Sequence, residues 1–106
     1  MSRREQIEAL LADEPNDSFL LYGLAMEYRK EGAHAEALAR FEQLIQQTPP
    51  YVPAYFMAGQ MLAEAGRANE SRTWLRDGIE EAQRQGNSHA AGEMSELLMT
   101  LGQMGE

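Results

Sequence analysis

The chain contains no cysteine and only two histidines, His34 and His89. The absence of cysteine excludes a disulfide framework and a thiolate metal site. Neither histidine has a second histidine at ligand spacing. His89 with Glu93, four residues later, gives two ligands where stable zinc sites use three or four. We therefore expect no bound metal and no cofactor.

Residues that favour strands are scarce, with one valine, three isoleucines and three threonines among 106 residues, whereas alanine, leucine and glutamate are abundant. This composition favours helices. Long apolar runs are also missing, since none approaches the roughly 18 to 20 residues that span a bilayer. The first 14 residues alternate charged and apolar side chains, unlike a secretory signal. A soluble cytoplasmic protein with no membrane partner is expected.

Basic residues are few: 9 against 17 acidic ones, for a formal charge of −8, and Lys30 is the one lysine. Such a surface repels phosphate backbones, which argues against nucleic acid as a partner. Solubility explains the acidity more simply than a dedicated acidic surface does. The length suits one domain with one hydrophobic core.

The first helix is predicted over residues 2–14. Ser2 and Glu5 have the spacing of a capping box, in which each side chain bonds the other residue's backbone amide. Ile7, Leu10 and Leu11 supply one narrow apolar stripe, so this helix needs a neighbour to pack against.

Residues 18 to 51 are repeated, with similar residue types, 34 positions further along the chain. In each copy a glycine, Gly32 or Gly66, is placed to end a first helix by adopting a left-handed conformation. Pro49 closes the second helix of the first copy. A self-similarity of this length is typical of helix-turn-helix repeats. The matched residues are Leu21, Leu24, Ala25, Tyr28, Gly32, Ala37 and Phe41 in the first copy, and Tyr55, Ala58, Gly59, Leu62, Gly66, Ser71 and Leu75 in the second.

These residues resemble the tetratricopeptide repeat, which combines a Leu-Gly or Leu-Ala pair, aromatic positions, a glycine turn and a closing proline. The resemblance implies an all-α fold of about six helices arranged as hairpins in a right-handed superhelical solenoid. It implies a single domain over residues 1–106, made of an N-terminal helix (2–14), two repeats (18–51 and 52–85) and a C-terminal capping helix (88–104). The small residues Ala25, Gly59, Ala37 and Ser71 are expected to let paired helices approach closely.

Three further predictions concern the second copy and the last helix. Asn69 is expected to cap a helix that ends near Gln85, and Ser88 to cap the last helix. Gly78 costs helix stability, so it indicates close packing, with room for Trp74 one turn away. The last helix is predicted to turn one apolar face inward. That face comprises Ala90, Ala91, Met94, Leu97, Leu98, Leu101 and Met104.

The resemblance also implies a concave surface lined by the first helix of each repeat. An apolar arc on these helices, separate from the core stripe, marks it as a groove for a peptide or helix segment of another protein. The alternative is that the terminal helices of the same chain cover these side chains. The predicted groove residues are Tyr22, Met26, Arg29, Lys30, Phe56, Gln60 and Glu64.

Related domains that bind the acidic C-terminus of chaperones carry lysine and asparagine where this chain has Tyr22, Met26 and Met57, so the carboxylate clamp of those domains is missing. No nucleophile elbow or glycine-rich phosphate loop is present, which argues against an enzyme. The sequence therefore predicts a non-enzymatic protein-binding module. The alternative is a structural protein that forms a homodimer or larger assembly through its last helix or an exposed repeat face.

Overall fold

The structure, a computed structural model, describes residues 1–103 and contains within them six α-helices and no strand. The all-α fold expected from the composition and the repeat is thereby confirmed. Met104, predicted to belong to the apolar face of the last helix, lies outside the described residues. None of the helices within the described range has the length and apolarity needed to cross a membrane. The helices are α1 (Arg3–Asp13), α2 (Ser18–Lys30), α3 (His34–Ile45), α4 (Val52–Glu64), α5 (Ala68–Arg84) and α6 (Ser88–Gln103).

The helices form two compact units. The N-terminal unit, Met1–Tyr51, contains α1 to α3, with α2 packed on α3 and α1 packed on α2. The C-terminal unit begins at Val52 and contains α4 to α6, with α5 packed on both of its neighbours and α4 also touching α6. Each unit thus contains one complete hairpin and one additional helix.

Glycine turns end the first helix of each hairpin. Gly32 and Gly66 both have φ of 78°, the left-handed conformation that the sequence predicts. The amide of the residue after each glycine bonds back to the preceding helix, from Ala33 to the Tyr28 carbonyl at 2.9 Å and from Arg67 to that of Leu62 at 2.8 Å. Because these turns hold the chain at the start of the next helix, α3 and α5 begin without a side-chain cap.

The predicted caps of the last two helices are wrong by one or two residues. Asn69 lies inside α5 and accepts a hydrogen bond from the Arg72 guanidinium instead of capping the helix. Ser88 is the first residue of α6, and the cap is Asn87, whose Oδ1 accepts the Ala90 amide at 3.1 Å. In both cases the preceding glycine turn decides where the helix begins.

The capping box of α1 is confirmed. The Glu5 amide donates to Ser2 Oγ at 3.1 Å, and the Ser2 amide donates to Glu5 Oε1 at 2.9 Å. These hydrogen bonds from Ser2 favour the charged carboxylate, so they lower the pKa of Glu5. The predicted apolar stripe is only partly buried, because Ile7 is covered while Leu10 remains 56% exposed.

Small residues bring the two helices of the second hairpin together. Ser71 is fully buried and its hydroxyl donates to the Gly59 carbonyl at 2.7 Å. A Cβ added to Gly59 would lie 2.6 Å from Cδ2 of Leu75, closer than packed atoms approach. The predicted role of these two residues in close helix packing is confirmed.

Gly78 also marks a close approach, although its neighbours differ from the predicted one. A Cβ at this position would lie 2.5 Å from Sδ of Met94 and 2.5 Å from Cβ of Tyr55. Trp74 instead packs edge-on against Tyr55, with ring centroids 6.1 Å apart. The missing side chain at Gly78 therefore makes room for α4 and α6, and the prediction that it accommodates Trp74 was wrong.

Candidate functional site

The N-terminal unit contains an apolar cavity of about 250 Å³ between α1 and α2, called here the α1–α2 cleft. Its wall on α2 consists of residues that repeat at helical spacing, outside the stripe of Leu21, Leu24 and Ala25 that is buried in the core. On the α1 side Ile7 closes the floor beside Gly23, where an added Cβ would lie 3.5 Å from Ile7 Cδ1, an ordinary van der Waals contact. The cleft is lined by Arg3, Ile7, Phe19, Leu20, Tyr22, Gly23, Met26 and Glu27.

Phe19 is the most exposed part of this cleft. Its side chain is 76% accessible although it belongs to a helix whose other face forms the core. Leu21 and Leu24, on that other face, are each 4% exposed. Helical spacing puts Phe19 on the same arc of α2 as Tyr22 and Met26, although it is not one of the predicted groove residues.

Ion pairs attach α1, the outer wall of the α1–α2 cleft, to α2. Arg4 Nε lies 3.0 Å from Glu31 Oε2, and the guanidinium sits 5.3 Å from the centroid of the Tyr28 ring. The Tyr28 hydroxyl donates to Glu8 Oε2 at 3.2 Å. The hydrogen bond with Glu31 raises the pKa of Arg4. Polar contacts therefore supplement the single buried apolar residue of α1, Ile7.

Tyr22 has a structural as well as a surface role. It is half-buried, and its ring centroid lies 6.4 Å from that of Phe41 and 5.5 Å from that of Tyr51. Burial raises the pKa of its hydroxyl, with a smaller contribution from Tyr51. Tyr22 thus forms the rear of the cleft, where it joins the aromatic core.

The remaining predicted residues of the N-terminal unit divide between the cleft and its surroundings. Met26 is half-buried and lines the cleft. Arg29, half-buried, and Lys30, exposed, lie outside the lining. The Lys30 ammonium lies 3.9 Å from Glu27 Oε2, which also pairs with Arg3 Nε at 3.3 Å. The rim of the cleft therefore carries charges of both signs.

The C-terminal unit has a second apolar cavity, of about 210 Å³, between α4 and α6, called here the α4–α6 cleft. Phe56 is half-buried and forms part of its wall. Gln60, half-buried, and Glu64, exposed, are on the same helix but outside the lining. The cleft is lined by Val52, Pro53, Phe56, Met57, Asn87, His89, Ala90 and Glu93.

The sequence left open whether the apolar arcs are exposed or covered by the terminal helices. Tyr22, Met26 and Phe56 are each half-buried, and each lines a cavity of which α1 or α6 forms the other wall. The terminal helices therefore border these residues without sealing them. Met57 and Glu93 also line the α4–α6 cleft but were not among the predicted groove residues. For Glu93, its four-residue spacing from His89 on α6 was an available signal.

A third concavity, of about 410 Å³, lies between the end of α5 and the start of α6. Small and uncharged residues line it, so it offers few groups that could bind a ligand strongly. Across residues 1–103 no three histidine or acidic side chains come together as a metal site would require. The lining residues are Gln83, Gly86, Ser88, Ala91, Gly92 and Ser95.

Comparison with known proteins identifies a family, a relative and a solved structure to which the chain is similar. Residues 28–91 match a family model described as Tetratricopeptide repeat. The cytochrome c-type biogenesis protein CycH of Rhizobium meliloti (strain 1021) is 36% identical over 62 residues, which cover 58% of this chain and 16% of CycH. The chain thus corresponds to a small part of that relative's length. The solution structure of protein BPP2914 from Bordetella parapertussis aligns with a TM-score of 0.82 and 24% identity, covering 98% of this chain and 90% of that one, and shares its fold.

Proposed function

Because this chain belongs to the tetratricopeptide repeat family, we propose that it is a non-enzymatic protein-interaction module that binds a peptide or helix segment of a partner protein. Repeats of this kind stack helices around a continuous core and leave other helix faces for contact. The family as a whole suggests protein binding, and the two clefts supply the surfaces on which it would occur here.

The observation that carries this proposal is the exposure of Phe19, 76%, at the mouth of an apolar cavity. Exposed apolar patches on soluble proteins commonly mark binding sites, and aromatic anchors contribute much of the energy at such sites. A cavity of about 250 Å³ exceeds the ~150 Å³ of engineered cavities that bind benzene. The α1–α2 cleft is therefore large enough to receive a leucine, methionine or phenylalanine side chain.

Phe19 and the predicted groove residues have distinct roles in this proposal. Phe19 and Met26 contact the incoming apolar side chain, and the flexible thioether of Met26 adapts to its shape. Tyr22 forms the rear wall of the cleft. Arg29 and Lys30 flank the site and interact with polar groups of the bound segment. In the C-terminal unit, Phe56 contacts the apolar side chain of the bound segment. Gln60 and Glu64 flank that site and interact with polar groups.

The proposal is tested with the double variant Phe19→Ala and Met26→Ala. Proteins captured from a cell extract by the wild-type chain are identified, and the affinity of a purified captured protein is then measured by calorimetry. We expect the double variant to bind at least about thirtyfold more weakly, corresponding to about 2 kcal/mol lost from two anchors. Circular dichroism should show unchanged helix content, because Phe19 is exposed and Met26 only half-buried.

A matched control replaces Leu10, which is 56% exposed on α1 and outside the lining of the cleft, with alanine. This variant removes a comparable apolar side chain and should keep wild-type affinity. Equal binding by the wild type and the Phe19 and Met26 double variant would contradict the assignment of the cleft.

A second candidate function is self-association through α6. The observation that favours it is Met99, 63% exposed on a helix whose Leu97 and Leu98 are also partly accessible. If this face joins two copies, light scattering should give a mass that rises with concentration, and Met99→Glu should return the monomer mass. A mass independent of concentration over a hundredfold range would exclude this function.

A further inference from the structure

The positive charges of the C-terminal unit are confined to one helix and the turn before it, whereas acidic residues occur on all three of its helices. Neither α4 nor α6 contains a lysine or an arginine, and their acidic residues are Glu64, Glu93 and Glu96. The arginines of this unit, at positions 67, 72, 76 and 84, belong to α5 and the turn before it. The two helices that form the α4–α6 cleft therefore carry formal negative charge without any permanent positive charge.

Within the α4–α6 cleft, this negative charge lies beside an apolar floor. Val52 is buried, and Phe56, Met57 and Ala90 are half-buried around the cavity. Glu93 lies at the rim with 45% of its side chain exposed, 3.6 Å from Nε2 of His89. This contact is an ion pair only when the imidazole is protonated. Because 45% of its side chain is exposed, the Glu93 carboxylate is accessible to a cationic group of a partner.

We propose that the α4–α6 cleft binds a cationic amphipathic segment of a protein partner. An apolar side chain of that segment enters the cavity against Phe56 and Met57, and a lysine or arginine about one helical turn away pairs with Glu93. This inference rests on the proposed function, since it takes the chain to be a protein-binding module. It adds the chemical class of the partner at one of the two clefts.

The charge pattern favours a basic protein segment over anionic occupants. Nucleic acids and anionic lipid surfaces carry phosphate, which is repelled by the Glu93 carboxylate at the rim and by the other acidic residues of α4 and α6. An acidic peptide is disfavoured for the same reason. Opposite charges around an apolar contact steer the encounter and reject partners of the wrong sign.

The α1–α2 cleft provides an internal comparison. Its rim carries Arg3, Glu27 and Lys30, so charges of both signs border an apolar cavity of similar size. These mixed charges do not favour a basic segment at the α1–α2 cleft. The two clefts therefore differ in the charge that they select, although both accept an apolar side chain.

The test is a selection from a displayed library of random 15-residue peptides, carried out with the wild-type chain, Glu93→Lys and Glu80→Lys. Glu80 is on α5 with 76% of its side chain exposed, so the control changes net charge equally without altering the cleft. We expect the wild type to enrich peptides with lysine or arginine three or four residues from leucine, methionine or phenylalanine. Glu93→Lys should abolish this enrichment and Glu80→Lys should retain it.

Enriched peptides are then synthesised, and their affinities for Met57→Ala and Phe19→Ala are measured by fluorescence anisotropy. Met57→Ala should weaken them about tenfold and Phe19→Ala should not. Selection of neutral or acidic peptides, survival of basic enrichment in Glu93→Lys, or its equal loss in Glu80→Lys would overturn the proposal. Binders that depend on Phe19 alone would overturn it while supporting the proposed function, and a library without binders would contradict both.

Discussion

Phe41→Ala is expected to lower the free energy of unfolding by about 3–5 kcal/mol, the range for truncating a fully buried phenylalanine. Phe41 is 0% exposed in the N-terminal unit, and its ring packs edge-on against Tyr22. Removing it leaves a cavity between α2 and α3, which the surrounding buried side chains can fill only in part. Urea denaturation followed by circular dichroism measures the change.

The matched control for Phe41→Ala is Phe19→Ala, which removes the same side chain from a position that is 76% exposed. Substitutions at such positions usually change stability by less than about 0.5 kcal/mol. A loss above 2 kcal/mol for Phe19→Ala would show that this ring belongs to the core, and would remove the basis for the α1–α2 cleft as a binding site. A loss below 1 kcal/mol for Phe41→Ala would contradict the packing of the first hairpin.

Gly78→Ala is expected to destabilise the C-terminal unit by about 2 kcal/mol. Inserting a methyl group into a packed site costs about 1–3 kcal/mol, against about 1 kcal/mol gained when alanine replaces glycine in a helix. The upper end of the range for inserting a methyl group applies, because the new Cβ would lie 2.5 Å from Cβ of Tyr55. That atom is attached to the backbone of α4 and cannot rotate away. Fluorescence of Trp74, which packs on Tyr55, reports the unfolding of this unit in urea.

The matched control is Gly92→Ala. Gly92 is exposed within α6, and a Cβ there would meet no atom within 4 Å. The same substitution should therefore stabilise the chain by up to about 1 kcal/mol through helix propensity alone. If Gly78→Ala were as stable as Gly92→Ala, the close contact of α5 with α4 and α6 would be wrong.

The helix hairpins could be predicted from the sequence because their determinants are local. Gly32 and Gly66 end helices through their own backbone conformation, and Pro49 prevents continuation. Contacts that small residues make possible also follow from the repeat, as the Ser71 hydrogen bond to Gly59 illustrates. These features depend on residue type and spacing, which a sequence displays directly.

The first residue of a helix that follows a glycine turn was harder to predict from the sequence. Asn69 is a good capping residue by type, yet the hydrogen bond from the Arg67 amide to Leu62 already positions the chain and α5 begins before Asn69. Gly78 likewise signalled a close contact without indicating its partner. Met94 and Tyr55 approach it from α6 and α4, which the pattern of α5 alone does not encode.

Only one wall of each cleft could be predicted from the sequence. Helical spacing on α2 placed Tyr22 and Met26 on one arc, and similar reasoning selected Phe56 on α4. The opposite walls depend on how α1 and α6 pack, and in α1 that packing buries Ile7 alone of the apolar stripe and is supplemented by ion pairs such as Arg4 with Glu31. Because Leu10 of that stripe stays exposed, an apolar pattern could not locate the contact.

The ion pairs that hold α1 make the geometry of the α1–α2 cleft sensitive to ionic strength. At about 0.15 M salt the screening length is ~8 Å, and at 1 M it is ~3 Å, so added salt weakens the exposed attraction between Arg4 and Glu31. The apolar contacts that hold the first hairpin are not screened in this way. Affinities measured at different salt concentrations will therefore report the position of α1 together with the charge of the bound partner.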